Sequence, residues 1–221
     1  MDELLELSYC VSPQTICGEG NVSMREEGDT FLIKASGTTL DTLDYEDLVR
    51  CDLDGNPLPD EEKKPSMEVA FHAWFYRTFP DINFVSHTHP TNTVKILCSG
   101  RVSTFANQRL FPDQVVRNGV VSCLIPYATP GIPLMEQIEL SVIEFMQQKG
   151  FFPKLILLQN HGIITASSSA QECLTSALMC EKSAEIFMGA KLLNNMAFLS
   201  PKAVTELDAD PNEKYRRNLI Q

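Results

Sequence analysis

Residues Phe84 to Pro90 read FVSHTHP: an apolar start, two imidazoles separated by one threonine, and a proline that ends the run. An apolar stretch of this length bounded by a turn residue predicts a strand. Side chains at i and i+2 on a strand share a face, so His87 and His89 can aim ring nitrogens at one point. A divalent ion held at about 2.0–2.1 Å by each imidazole requires that convergence. The alternative is that each ring satisfies a local hydrogen bond and nothing more. A chelate needs a third ligand, and His161 is the candidate. It stands in KLILLQNHGIITA, where an apolar strand meets an Asn-His-Gly turn and a second strand begins. A turn at a strand end presents a side chain outward while Gly162 lets the backbone reverse. Three imidazoles leave a coordination position open, which is the catalytic form of such a site.

Upstream of the H-x-H strand, PSMEVAFHAWFYRTFP (65–80) predicts a helix capped by Ser66 and stopped by Pro80. Glu68 and His72 lie four residues apart, on one face of it. A carboxylate beside a Lewis acid can move a proton on a bound substrate; an acid in a helix's first turn is also favoured simply by the macrodipole. His72 reads as a core histidine. Elsewhere the pattern predicts a short helix over 3–10, a Gly-bearing loop at CGEGNVSMREEGD, and strands in TFLIKASGTTL and DLVRCDLDGNPLP. Further on it predicts a short helix in PTNTVKILCSG, a strand in GVVSCLIPY and an amphipathic helix ending at Gly150. A long helix follows, with Ser168 and Gln171 as its capping box. Strands separated first by turns and later by helices, without a steady βαβ rhythm, predict one α/β domain. Its sheet should be largely antiparallel or mixed, and covered by helices.

The chain has 221 residues and a formal charge of −11, which opposes binding to nucleic acid or to an anionic membrane surface. Its start, MDELLELSYC, carries acids where a secretory leader carries bases, and no stretch reaches the length of a membrane span. The reading is a soluble, cytoplasmic protein. Seven cysteines without a C-x-x-C pair predict reduced thiols rather than a disulfide framework or thiolate zinc site.

GEGNVSMR, with Asn21, and KASGT, with Ser36 and Gly37, combine glycine with hydroxyl or amide groups, and Ser66 opens a helix. Each can offer N–H or O–H donors to a phosphate or carboxylate. There is no G-x-x-x-x-G-K-[ST] and no G-x-G-x-x-G opening a helix, so nucleotide chemistry has no support.

In this order, GNVS, KASG, PSMEVAFH, SHTHP and NHGI resemble the class II aldolase/adducin family from about Gly18 to Ala190. The resemblance implies an α/β/α layered fold with a central, largely antiparallel sheet, assembled as a homotetramer with active sites between subunits. It implies a zinc ion on His87, His89 and His161, with manganese, cobalt or iron as other fits. Glu68 would be the acid/base, and Asn21, Ser36, Gly37 and Ser66 would bind the substrate's phosphate. The implied activity is that of a lyase cleaving a phosphorylated ketose or related sugar phosphate through a metal-stabilised enediolate. Sister activities on the same site are decarboxylation, 4-epimerisation and dehydration, and the adducin branch offers a non-catalytic binding protein. Two departures bear on the substrate. Met67 stands where many members have a second hydroxyl residue, with Lys34 available as a compensating cation. No tyrosine occurs in FANQRLFPDQ (105–114), where some members bring a proton donor for the leaving group; Tyr127 is near only in sequence. The loop from Thr104 to Val116 is where the sister activities would diverge.

Overall fold

The computed structural model describes residues 1–193 and 196–218. Its framework is a seven-stranded sheet made of β1 (Asn21–Arg25), β2 (Thr30–Lys34), β3 (Leu48–Asp52), β4 (Phe84–Thr88), β5 (Cys123–Ile125), β6 (Ile156–Leu158) and β7 (Ile163–Ser167). The order across the sheet is β3-β2-β1-β4-β7-β6-β5. Every pairing is antiparallel except β5 with β6, so the sheet is mixed but largely antiparallel.

Helices cover both faces. One face packs on α2 (Val69–Thr78) and α6 (Ile132–Lys149), burying Phe71, Phe75, Ile138 and Val142 against Phe31, Ile33, Val85 and Ile164. The other packs on α1 (Asp2–Val11), α3 (Thr91–Leu97), α4 (Val102–Asn107) and α7 (Ala170–Leu192), with Leu4, Leu97, Phe105 and Ala177 against Val22, Phe84 and Ile163. Helix α5 (Pro112–Asn118) lies alongside α7, and α8 (Pro201–Ala209) and α9 (Pro211–Asn218) follow. Covered on both sides, β4 is buried at all five positions, which is why FVSHT shows no apolar/polar alternation.

Four local expectations change. The segment from Asn21 to Arg25, read as loop, is strand β1, paired on one side with β2 and on the other with β4. Its Ser23 is buried but faces Tyr76 and His72, so a polar residue occupies a core position and hides the strand pattern. The loop from Thr104 to Val116 is largely α4 and α5, helices too short to show a 3.6-residue period. The cap of α2 is Glu68, with no side-chain cap bond; Ser66 lies in the turn before it, its Oγ accepting from the Glu68 N–H at 3.3 Å. The cap of α7 falls one residue later than expected, Ser169 Oγ accepting from the Glu172 N–H at 3.2 Å. All seven cysteines are free, and four of them, Cys51, Cys123, Cys173 and Cys180, are buried. Among the described residues no helix is long and apolar enough to cross a membrane.

Candidate metal centre

The centre forms where β4 ends. In the β1–β4 ladder Asn21 stands opposite His87, and in the β4–β7 ladder Ile164 does. His89 follows two residues on, and the β6–β7 turn brings His161 against both. That turn depends on Asn160, whose φ is 57°, and on Gly162, where a Cβ would lie 2.4 Å from the Thr88 carbonyl oxygen and 2.5 Å from His89 Cδ2. Only glycine lets the turn press so closely on the H-x-H segment. The three imidazole centroids are 4.7 to 4.9 Å apart, and one nitrogen from each ring lies within 4.8 Å of the others.

Hydrogen bonds on the far side of two rings settle which nitrogens face inward. His87 Nδ1 is 2.8 Å from the Ile163 carbonyl oxygen, and His89 Nδ1 is 2.9 Å from Glu19 Oε2. Both oxygens only accept, so both Nδ1 atoms carry protons and donate. The Nε2 atoms of His87 and His89 therefore face each other, 2.9 Å apart. Glu68 lies on the same side, Oε2 being 3.2 Å from His87 Nε2 and Oε1 3.5 Å from His161 Nε2. Glu68 Oε1 is buried without a hydrogen-bond partner, as is His161 Nδ1. Lone pairs of three imidazoles and an under-satisfied carboxylate around one point are a donor set that a divalent cation completes.

The groups around that point also shift one another's proton affinities. Burial resists charge on His87, but Glu68 and the Ile163 carbonyl outweigh it and raise its pKa. Burial and the neighbouring His87 charge lower His89 and bring His161 down to about 4. Burial opposes ionisation of Glu68, yet His87, His161 and the Asn21 bond hold its carboxyl well below the usual range.

A buried relay aims that carboxylate. Asn21 Nδ2 donates to Glu68 Oε2 at 2.9 Å, and Asn21 Oδ1 accepts from His72 Nε2 at 2.5 Å. Burial lowers the His72 pKa to about 3, so the ring is neutral and its Nδ1 accepts from Ser23 Oγ at 2.6 Å. Ser23 Oγ in turn accepts from the Tyr76 hydroxyl at 2.6 Å. His72 is thus a core histidine, and it also fixes which way the Asn21 amide points.

The remaining candidate residues sit beside this network. Segments 34–36 and 64–66 pair through the Ser36 N–H on the Lys64 carbonyl at 2.9 Å and the Ser66 N–H on the Lys34 carbonyl at 3.0 Å. Ser36 and Gly37 face solvent, with φ of +87° at Gly37. Lys34 is buried, its Nζ donating to the Gly18 carbonyl at 3.3 Å; burial lowers its pKa against the opposing pull of Asp47 and Glu68. The side chain of Asn21 is committed to Glu68 and His72 rather than turned toward this cradle. Glu19 was not among the sequence candidates. Its one visible signal is an acid between two glycines, and no spacing rule links it to a histidine 70 residues away. A separate cavity of about 440 Å³ lies at the far end of β7, among Phe79, Ile82, Arg117, Met146 and Phe152, and holds no histidine.

Residues 14–188 match the family model described as Class II Aldolase and Adducin N-terminal domain. A 3-oxo-tetronate 4-phosphate decarboxylase of Haemophilus influenzae is 29% identical over 174 residues, covering 78% of each chain. A 5-deoxy-D-ribulose 1-phosphate aldolase of Bacillus thuringiensis serovar kurstaki is 30% identical over 183 residues, 81% of this chain and 79% of the other. Among solved structures, an L-fuculose 1-phosphate aldolase matches with a TM-score of 0.77 at 22% identity, covering 97% of this chain and 95% of that one. That last likeness is one of fold.

Proposed function

We propose, from the premise that this chain belongs to the class II aldolase and adducin N-terminal domain family, that it is a metal-dependent lyase. Its substrate would be a phosphorylated ketose or related sugar phosphate, cleaved between two carbons through an enediolate. The observation that carries this reading is the convergence of imidazole nitrogens from His87, His89 and His161 on the point that the Glu68 carboxylate also faces. A divalent ion held there, with zinc the best match for three imidazoles and manganese, cobalt or iron as alternatives, supplies Lewis acidity where negative charge develops.

The chain's own groups do the rest. Glu68, held by Asn21 and kept ionised by its neighbours, takes or returns the proton at the enediolate carbon. Lys34 would offer an ammonium, Ser36 and Ser66 hydroxyls, and Gly37 its N–H to the phosphate, while Asn21 is spent on holding Glu68. Homotetramer formation with active sites between subunits, in the cytoplasm, belongs to the same reading. Met67, 81% exposed and adjacent to Glu68, is apolar surface that a neighbouring subunit would cover.

A second reading is decarboxylation of a 3-oxo sugar-acid phosphate. It is favoured by the Haemophilus influenzae relative and by the lack of a tyrosine in 105–114. Loss of carbon dioxide leaves the electron pair on the enolate and needs no acid or base at a leaving oxygen, whereas retro-aldol cleavage must move a proton there. A screen of sugar phosphates with zinc or manganese, scoring aldehyde, dihydroxyacetone phosphate and carbon dioxide separately, decides between them. Zinc, manganese, cobalt and iron all far below one equivalent after gentle purification would instead favour a non-catalytic scaffold.

A further inference from the structure

The three imidazoles are held from behind in three different ways. His87 Nδ1 is fixed by a backbone carbonyl within the sheet, and His161 Nδ1 has no partner. His89 alone depends on a side chain, and that side chain, Glu19, comes from a loop. Glu19 uses both carboxylate oxygens. Oε2 accepts from His89 Nδ1 at 2.9 Å, and Oε1 accepts from the Ile16 N–H at 2.8 Å. The second bond ties the carboxylate back to its own turn, which the Glu19 N–H closes on the Ile16 carbonyl at 3.2 Å. The flanking residues pin the loop further: the Gly18 carbonyl holds Lys34 Nζ at 3.3 Å, and at Gly20 a Cβ would lie 2.8 Å from the His87 carbonyl oxygen.

Glu19 touches the edge of the His89 ring opposite Nε2, whereas Glu68 sits on the Nε2 side. Glu19 therefore cannot join the same coordination sphere while it holds the ring. A carboxylate on the outer nitrogen of a ligating imidazole fixes its tautomer and orientation and makes the inner nitrogen a stronger donor.

We propose that Glu19 is a positioning residue for the cation centre: it orients and strengthens His89 as a ligand from outside the coordination sphere. This rests on the metal reading above. Because the Glu19 side chain is 35% exposed, the contact is screened from one side, and removing it should weaken the centre without abolishing it.

The test uses the full chain, stripped of metal and reloaded with cobalt(II). Affinity is read by competition with a chelator, geometry by the visible absorption bands of bound cobalt, and folding of the metal-free protein by circular dichroism and thermal midpoint. Glu19→Ala should bind cobalt about 10- to 100-fold more weakly than the parent, with shifted or weakened bands and a metal-free fold like the parent's. Glu19→Gln, which keeps one neutral acceptor, should fall between them. Parent-like affinity and bands in Glu19→Ala would overturn the role of Glu19 while leaving the metal reading intact. No cobalt binding by the parent itself would overturn both. A metal-free Glu19→Ala that is unfolded leaves Glu19→Gln to decide, and parent-like binding in that folded variant counts against the proposal.

Discussion

Glu68 and Asn21 form a pair in which one residue performs the chemistry and the other aims it. Glu68→Gln keeps the shape and removes the charge; turnover should fall by about 10²- to 10⁴-fold, while metal content measured by elemental analysis stays at the parent level. His87→Ala should lose metal and activity together. Asn21→Ala acts differently, because it leaves the His72 N–H buried without an acceptor. An orphaned buried donor costs about 1–3 kcal/mol, so urea denaturation should show a loss of that order, alongside reduced turnover with metal retained. The histidines were legible because imidazoles are scarce here and the H-x-H spacing matches strand geometry. The relay behind Glu68 was not. Asn21, Ser23, His72 and Tyr76 meet across a strand and a helix about 50 residues apart, as the Ser23–Tyr76 separation of 53 shows, and no local period connects them.

The junctions between elements carry the constraints of the site. At Gly162 any side chain meets the Thr88 carbonyl and the His89 ring. Gly162→Ala should therefore push the β6–β7 turn away from β4, lowering the thermal midpoint and weakening cobalt binding even though no ligand has changed. Ser169→Ala removes the cap bond to the Glu172 N–H at the start of α7, far from the centre; it should cost about 1 kcal/mol in chemical denaturation and leave cobalt binding untouched. Long elements were readable from sequence: α6 shows its apolar face over 18 residues, and α7, whose buried side is mostly Ser, Cys and Ala, declares itself by its 23-residue run and its capping residues. Strand β1 was not, because its buried positions include Asn21 and Ser23, polar residues that serve the site. Helices α4 and α5, with 6 and 7 residues, are too short for a period to declare itself.

At the scale of the whole molecule, charge and protons act together. A formal charge of −11 repels an anionic substrate at long range. Raising ionic strength shortens the screening length to about 8 Å at 0.15 M, so kcat/KM for a phosphorylated substrate should rise with added salt before contact-range screening at Lys34 reverses the trend. Acid should destabilise the metal-free protein. The buried His72 has its pKa lowered from 6.5 to about 3, so below pH 6.5 the unfolded chain takes up a proton that the folded chain refuses. Its stabilisation is complete above that pH and is lost as pH falls toward 3. His161 adds to the loss in the same direction, whereas His87, whose pKa is raised, opposes it. Urea titrations at pH 7, 6 and 5 should show falling stability, with a smaller slope in His72→Gln, which cannot titrate.

The placement of β4 between β1 and β7 also has a kinetic meaning. His87 lies in β4 and His89 just past its end, but the carboxylate that secures His89 precedes β1 and the third imidazole sits on the turn into β7, so the full donor set exists only after both ladders have closed. Such distant pairings form late in folding. Cobalt present during refolding should therefore leave the folding rate nearly unchanged and slow unfolding instead, since the ion recognises an arrangement that the transition state has yet to complete.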